Sequence, residues 1–312
     1  MQYPEFKNRH IISTKDLTKK ELVVILDTAV RMETVVQTQG FSAVLSNSLI
    51  AMLFLEPSTR TRLSFEAAAQ RLGAHTVSVS DAGSSSAAKG ETLADMVRVV
   101  AGYADCIVLR QPYQGQARMA ADCIDIPLLN AGDGKGQQPT QALLDLYTIR
   151  KELGRLDSLK ISLVGDLKYG RTVHSLCYAL MPFTPQLTLC APPELGLPGD
   201  ILDDLKNHNI RCTLTSELEE ALQADVIYMT RIQRERFSDK SEYEKLKGSF
   251  VLTRELVLRG NKDIVIMHPL PRVDEINEDV DGLARAAYFR QAHNGMYVRM
   301  ALLALVLGGD IP

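Results

Sequence analysis

A chain of 312 residues with 46% apolar content can fill roughly two compact cores, which predicts two domains. Its net charge of −3, without a basic tail or an acidic block, argues against nucleic acid and membrane surfaces as partners. The longest apolar runs, residues 49–55 and 301–307, are far below the roughly 20 residues that a membrane span needs.

The opening MQYPEFKNRH has no apolar core behind a basic region, so no signal peptide is expected. Cys106, Cys123, Cys177, Cys190 and Cys212 are scattered and mostly embedded in apolar segments, with neither a CxxC pair nor a Cys/His cluster. They read as reduced residues of a cytoplasmic protein without a metal site. Thr18 and Glu21 form a capping box, with Leu17 stapled onto Leu22, and helical spacing then runs to about Met32. Strands are expected at 49–56, 75–80, 105–110 and 127–130, alternating with helices near 59–72, 91–103 and 113–123. The glycine-rich turn at 130–140 breaks this rhythm, and a helix follows from Gln141. The second half repeats the order, with strands near 159–165, 186–190, 211–215, 225–230 and 263–267 and helices near 170–182, 197–207 and 217–223. An apolar helix at 295–307 then returns to the first domain. The predicted class is α/β: two doubly wound domains, each with a central parallel sheet, joined by interdomain helices. The domains are 1–139, completed by 295–312, and 140–294.

Chemistry concentrates in LIAMLFLEPSTRTRLSFEAAAQRL, residues 49–72. Ser58, Thr59, Arg60, Thr61 and Arg62 lie where a buried strand meets a helix start, and unpaired N–H groups with the positive dipole end make an anion site there. The hydroxyls and a forked guanidinium suit phosphate. Arg60 and Arg62 diverge by roughly 200° around a helix, so Arg60 is assigned to the ligand and Arg62 to an ion pair with Glu66. A hydroxyl cap beside solvated arginines is the plainer alternative.

Other candidates end strands. DAGSSSAAK, 81–89, reads as a surface loop whose Ser84, Ser85, Ser86 and Lys89 could reach a phosphate. Arg110 and Arg231 stand at strand carboxyl ends, where ligands gather in parallel sheets. Residues 165–172, GDLKYGRT, nearly spell a P-loop, but Arg171 replaces its lysine, so nucleotide hydrolysis is rejected and bidentate carboxylate capture fits better. Two prolines flanking Leu270 leave carbonyls facing outward to receive amide N–H groups, and His268 reads as a packed loop residue rather than a base. A phosphate cradle with carboxylate-binding arginines fits group transfer from a phosphorylated donor to a small acidic acceptor.

PSTRTR at 57–62, KGETLAD at 89–95, NAGDG at 130–134, PTQ at 139–141, GDLKYGRTVHSL at 165–176, TRIQRER at 230–236 and HPLPRVDEI at 268–276 together resemble the carbamoyltransferase family across essentially the whole chain. HPLPR and the Arg231/Gln233 pair are similar to its aspartate branch, the catalytic chains of aspartate carbamoyltransferases. The resemblance implies transfer of a carbamoyl group from carbamoyl phosphate to L-aspartate for pyrimidine biosynthesis, with no cofactor. It implies that Ser58, Thr59, Arg60, Thr61, Ser85, Lys89, Arg110, Gln141 and the backbone of Pro269 and Leu270 hold carbamoyl phosphate. Lys89, Arg171, Arg231 and Gln233 are implied to hold aspartate, with Arg60, Thr61, Arg110 and Gln138 serving the reaction itself. Ser85 and Lys89 would reach a neighbouring subunit's site, making a homotrimer the smallest unit, and regulatory chains are a further partner class. The family expects histidine where this chain has Gln138, and often another where it has Gln111. Gln138 can donate from its amide but cannot titrate. Two other readings therefore stay open: a weakly active or non-catalytic paralogue that binds carbamoyl phosphate, and a carbamoyltransferase for another amino acid.

Overall fold

The computed structural model describes residues 2–80, 90–232, 248 and 250–311. The chain divides into two units, one of Met1–Leu144 with Asn294–Pro312 and one of Asp145–His293.

In the first unit, β1 (Leu49–Phe54), β2 (His75–Val79), β3 (Cys106–Gln111) and β4 (Leu128–Asp133) form a parallel sheet in the order β2-β1-β3-β4. Every residue of β3 and β4 is buried, and all of β1 after Leu49. That is the pattern of parallel strands covered on both faces, and it explains why residues 49–55 read as an unbroken apolar run. The edge strand β2 is mostly exposed, with Thr76 and Val79 half-buried. The connecting helices are α1 (Lys19–Gln39), α2 (Thr59–Arg71), α3 (Leu93–Ala101) and α4 (Gln116–Ala121), with α5 (Pro139–Leu153) leading out of the unit.

The second unit carries β5 (Lys160–Val164), β6 (Gln186–Cys190), β7 (Arg211–Thr215), β8 (Val226–Met229) and β9 (Val265–Met267), all parallel, in the order β7-β6-β5-β8-β9. Its helices among the described residues include α6 (Arg171–Leu180), α7 (Gly199–Asn207), α8 (Leu218–Ala221) and α9 (Arg254–Arg259), and α10 (Tyr288–Val306) begins in it. None of the described helices is long and apolar enough to cross a membrane.

Four elements depart from the sequence reading, the first being α9, a helix that the reading did not include. Helix α1 continues past Met32 to Gln39, because Val35 extends its buried stripe and Gly40, at φ 81°, closes it. Strand β4 runs through Asp133 into the stretch read as a break. Its polar residues are satisfied by backbone: Asn130 Nδ2 donates to the Ile12 carbonyl at 2.9 Å, and Asp133 accepts from the N–H groups of Gln137 at 2.6 Å and Gly115 at 3.0 Å. Helix α10 starts at Tyr288 rather than 295, since the buried Gln291 and Asn294 interrupt an apolar pattern without interrupting a helix.

Two local devices are open to test. The Thr18 hydroxyl accepts from the Glu21 N–H at 3.3 Å while Glu21 accepts from the Thr18 N–H at 2.8 Å. Thr18→Ala is expected to lower stability by about 1 kcal/mol in denaturant titration. Gly165, after β5, sits at φ 108°, and a Cβ there would lie 2.2 Å from the Thr230 carbonyl oxygen. Gly165→Ala is expected to cost at least about 2 kcal/mol and lower Tm, because both the backbone angle and the contact are forbidden; an unchanged Tm would contradict this geometry.

Candidate active site

In the first unit the carboxyl ends of β1, β3 and β4 lie side by side, and the assigned residues follow from that. Phe54 pairs with Arg110, and the Leu55 N–H donates to the Arg110 carbonyl at 2.9 Å, so the turn into α2 rises beside the end of β3. Ser58 is the N-cap of α2, yet its hydroxyl makes no cap hydrogen bond. Elsewhere the same chemistry is used: Thr18, Thr92 and Thr253 each accept from the N–H three residues on. A side-chain cap contributes about 1 kcal/mol, so α2 forgoes a stabilisation that this sequence employs at other helix starts. The helix start, with the hydroxyls of Ser58 and Thr61, therefore carries N–H groups that the helix itself does not satisfy, just beyond the carboxyl end of β1. Arg60 is exposed and Thr61 is buried.

Arg110 is buried at the end of β3, where its Nη2 pairs with Glu56 Oε2 at 2.9 Å and its Nη1 donates to the Ala131 carbonyl at 3.1 Å. A buried guanidinium without a counter-charge would cost several kcal/mol, so Glu56 both permits the charge and orients it. The sequence reading did not single out Glu56; its position directly after a buried strand, next to the PSTRTR turn, was the available signal. The expected pairing of Arg62 with Glu66 is absent. Glu66 accepts instead from the Ser78 hydroxyl at 3.0 Å, because β2 pairs with β1 and brings Ser78 over α2.

The loop held by Asn130 and Asp133 delivers Gln138 and Gln141 to the start of α5. The Gln138 carbonyl accepts from the N–H groups of Gln141 at 3.0 Å and Ala142 at 3.3 Å, and both glutamines are buried.

In the second unit β5, β8 and β9 are neighbours, and Arg171, Arg231 and the 268–271 loop follow their carboxyl ends. Arg171 is the first residue of α6 and is half-buried, as is Arg231. The loop that resembles a P-loop is organised by Asp166, whose carboxylate accepts from the Tyr169 N–H at 2.9 Å; a buried carboxylate in that position opposes phosphate. His268 is buried, with Nδ1 accepting from the Leu270 N–H at 2.8 Å, so the proton resides on Nε2 and is donated to Glu275 at 2.6 Å. Burial holds the His268 imidazole below its ordinary pKa despite Glu275, keeping it neutral. Burial opposes the Glu275 carboxylate too, but hydrogen bonds from His268 and the backbone N–H of Val273 hold it below the usual carboxylate value. Both His268 nitrogens are engaged, which fits a packed residue rather than a proton acceptor for substrate. Leu270 has φ 51° and is followed by a cis bond to Pro271. Ser85, Lys89 and Gln233 lie outside the described residues, and among the described residues no cluster of His, Cys, Asp or Glu is placed to hold a metal ion.

Comparison with known proteins bears directly on this arrangement. Residues 9–151 match the carbamoyl-P binding domain of aspartate/ornithine carbamoyltransferase, and residues 157–306 match the Asp/Orn binding domain of the same family. The aspartate carbamoyltransferase catalytic subunit of Methanosarcina barkeri is 52% identical over 97% of this chain and 98% of its own length. The catalytic subunit of M. jannaschii aspartate transcarbamoylase superposes with a TM-score of 0.88 at 53% identity, covering 95% of this chain and 96% of that one. Aspartate transcarbamoylase from Trypanosoma cruzi, in complex with N-(phosphonacetyl)-L-aspartic acid, superposes with a TM-score of 0.92 at 38% identity over 98% of each chain. With both family domains matched in order, and with relatives at about half identity over nearly the full length, the chain belongs to the aspartate/ornithine carbamoyltransferase family, on its aspartate carbamoyltransferase branch.

Proposed function

We propose that this chain transfers the carbamoyl group of carbamoyl phosphate to the amine of L-aspartate, giving N-carbamoyl-L-aspartate and phosphate as a cytoplasmic step of pyrimidine biosynthesis. The observation that carries this reading is the uncapped start of α2, whose hydroxyls and N–H groups stand beside the buried, Glu56-oriented Arg110. A T. cruzi relative bound to carbamoyl phosphate and aspartate, at a TM-score of 0.92, supports the same pair of substrates. In this reading residues 1–139 with 295–312 bind carbamoyl phosphate and residues 140–294 bind aspartate.

Ser58, Thr59, Arg60 and Thr61 hold the phosphoryl group, and Gln141 with the carbonyls of Pro269 and Leu270 holds the carbamoyl amide. Arg171, Arg231 and Gln233 take the aspartate carboxylates. Ser85 and Lys89 come from a neighbouring subunit, so the working unit is a homotrimer, to which regulatory chains can attach. The aspartate amine, as free base, attacks the carbonyl carbon, and proximity of the two bound substrates supplies much of the rate. A bond forms from nitrogen to carbon while the carbonyl π electrons move onto oxygen. Thr61, Arg110 and Gln138 stabilise that oxyanion. Its collapse breaks the carbon–oxygen bond to phosphate, which departs on Arg60 and takes the amine proton.

The intact set of arginines favours turnover over a purely binding role. Arg60→Ala is expected to lower kcat/KM for carbamoyl transfer to aspartate by about 10²–10³-fold, the scale of one lost oxyanion donor; a near-normal value would remove Arg60 from the site. Gln138→His is expected to raise kcat, by roughly threefold or more if a better-placed donor reaches the oxyanion. An unchanged steady-state rate would mean that the glutamine amide already serves.

A further inference from the structure

The loop after β9 is held by a buried polar chain that nothing in the reaction scheme uses. The His268 N–H donates to Gln291 Oε1 at 2.9 Å, and Gln291 Nε2 donates to Asp145 Oδ1 at 2.7 Å. Asp145 Oδ2 in turn accepts from the Tyr228 hydroxyl at 2.8 Å. On the other side, Glu275 takes the His268 Nε2 proton with one oxygen, while its second oxygen accepts from the N–H groups of Val273 and Asp274, both at 3.1 Å. His268, Glu275, Gln291, Asp145 and Tyr228 are all at most 5% exposed. Buried polar chains of this kind carry a desolvation cost that well-packed apolar residues would avoid, so stability alone does not account for them.

What the chain fixes is a direction. The imidazole Nδ1 captures the Leu270 N–H at 2.8 Å. The peptide from Pro269 to Leu270 is planar and trans, so its C=O points opposite to its N–H. Anchoring the N–H on His268 therefore aims the Pro269 carbonyl away from the ring and holds it there. The tautomer matters: a proton on Nδ1 would meet the Leu270 N–H donor to donor. The Glu275 carboxylate prevents this by keeping the proton on Nε2.

We propose that His268, locked by Glu275 and Gln291, is a positioning residue that aims the Pro269 carbonyl at the substrate's amide, and so selects an acyl phosphate bearing N–H₂ over one bearing a methyl group. This rests on the carbamoyl phosphate reading above. Carbamoyl phosphate donates to such a carbonyl; acetyl phosphate, of the same shape and charge, cannot. The carbonyl gains a partner from the first and loses one with the second.

The test compares ligands in one folded protein. KM for carbamoyl phosphate is measured at saturating aspartate, and acetyl phosphate and inorganic phosphate are measured as competitive inhibitors. His268→Phe keeps a ring but removes the acceptor. It should raise KM for carbamoyl phosphate by about tenfold, the scale of one amide hydrogen bond, and shift Ki for the two competitors by less than about twofold. His268→Asn, whose side-chain oxygen can stand near the Nδ1 position, should restore KM to within about threefold of the original. Equal weakening of all three ligands, or an unchanged KM in folded His268→Phe, would overturn the proposal. If His268→Phe does not fold, Glu275→Leu, which removes the acceptor of the Nε2 proton, carries the same comparison, and unchanged selectivity there would overturn it equally. Wild-type protein that fails to carbamoylate aspartate would instead remove the function proposed above.

Discussion

Both sheets are wholly parallel, and that single constraint organises the chemistry. When every strand points the same way, the turn after each strand falls on the same edge of its sheet, and side chains far apart in sequence become neighbours without any further design. In the first unit this puts the α2 start, Arg110 and the α5 start on adjoining strand ends. In the second it does the same for Arg171, Arg231 and the proline-flanked loop. The middle residues of the strands cannot contribute such groups, because their faces are covered and their side chains buried. Polar function is therefore confined to the few residues where pairing stops.

Charge at such an edge has to be held in place. Two buried or part-buried pairs and one buried triad show how the fold does it: Arg110 with Glu56, His268 with Glu275, and Asp145 with Tyr228 and Gln291. Leaving any one partner alone would cost several kcal/mol, comparable to a large share of a domain's net stability. Each pair thus makes its neighbour's position a condition of folding. A guanidinium or carbonyl fixed in this way needs little reorganisation when substrate charge develops, which is where electrostatic catalysis draws its advantage.

Much of this was legible in the sequence because the signals are local. The strand–turn–helix around residues 49–72, the capping box at Thr18 and the near-miss P-loop at 165–172 each declare themselves within a short window. What escaped is polar residues whose partners are distant in the chain. Asn130 and Asp133 looked like turn residues but end β4, satisfied by Ile12, Gly115 and Gln137. Gln291 and Asn294 broke an apolar pattern and so hid the first turns of α10. Glu56 fell at a strand terminus and Glu275 was not singled out within HPLPRVDEI, because no periodicity marks a carboxylate that is spoken for by an arginine or a histidine elsewhere.

The serine that declines to cap its own helix has a thermodynamic corollary. Without that bond, the opening turn of α2 lacks a stabilisation of about 1 kcal/mol that a side-chain cap supplies. An anion that engages its amides completes the turn, so ordering of this segment and occupancy by ligand become one linked equilibrium. Amide hydrogen exchange at Thr59, Arg60 and Thr61 would then serve as a built-in gauge of saturation, slowing in step with the fraction of sites filled.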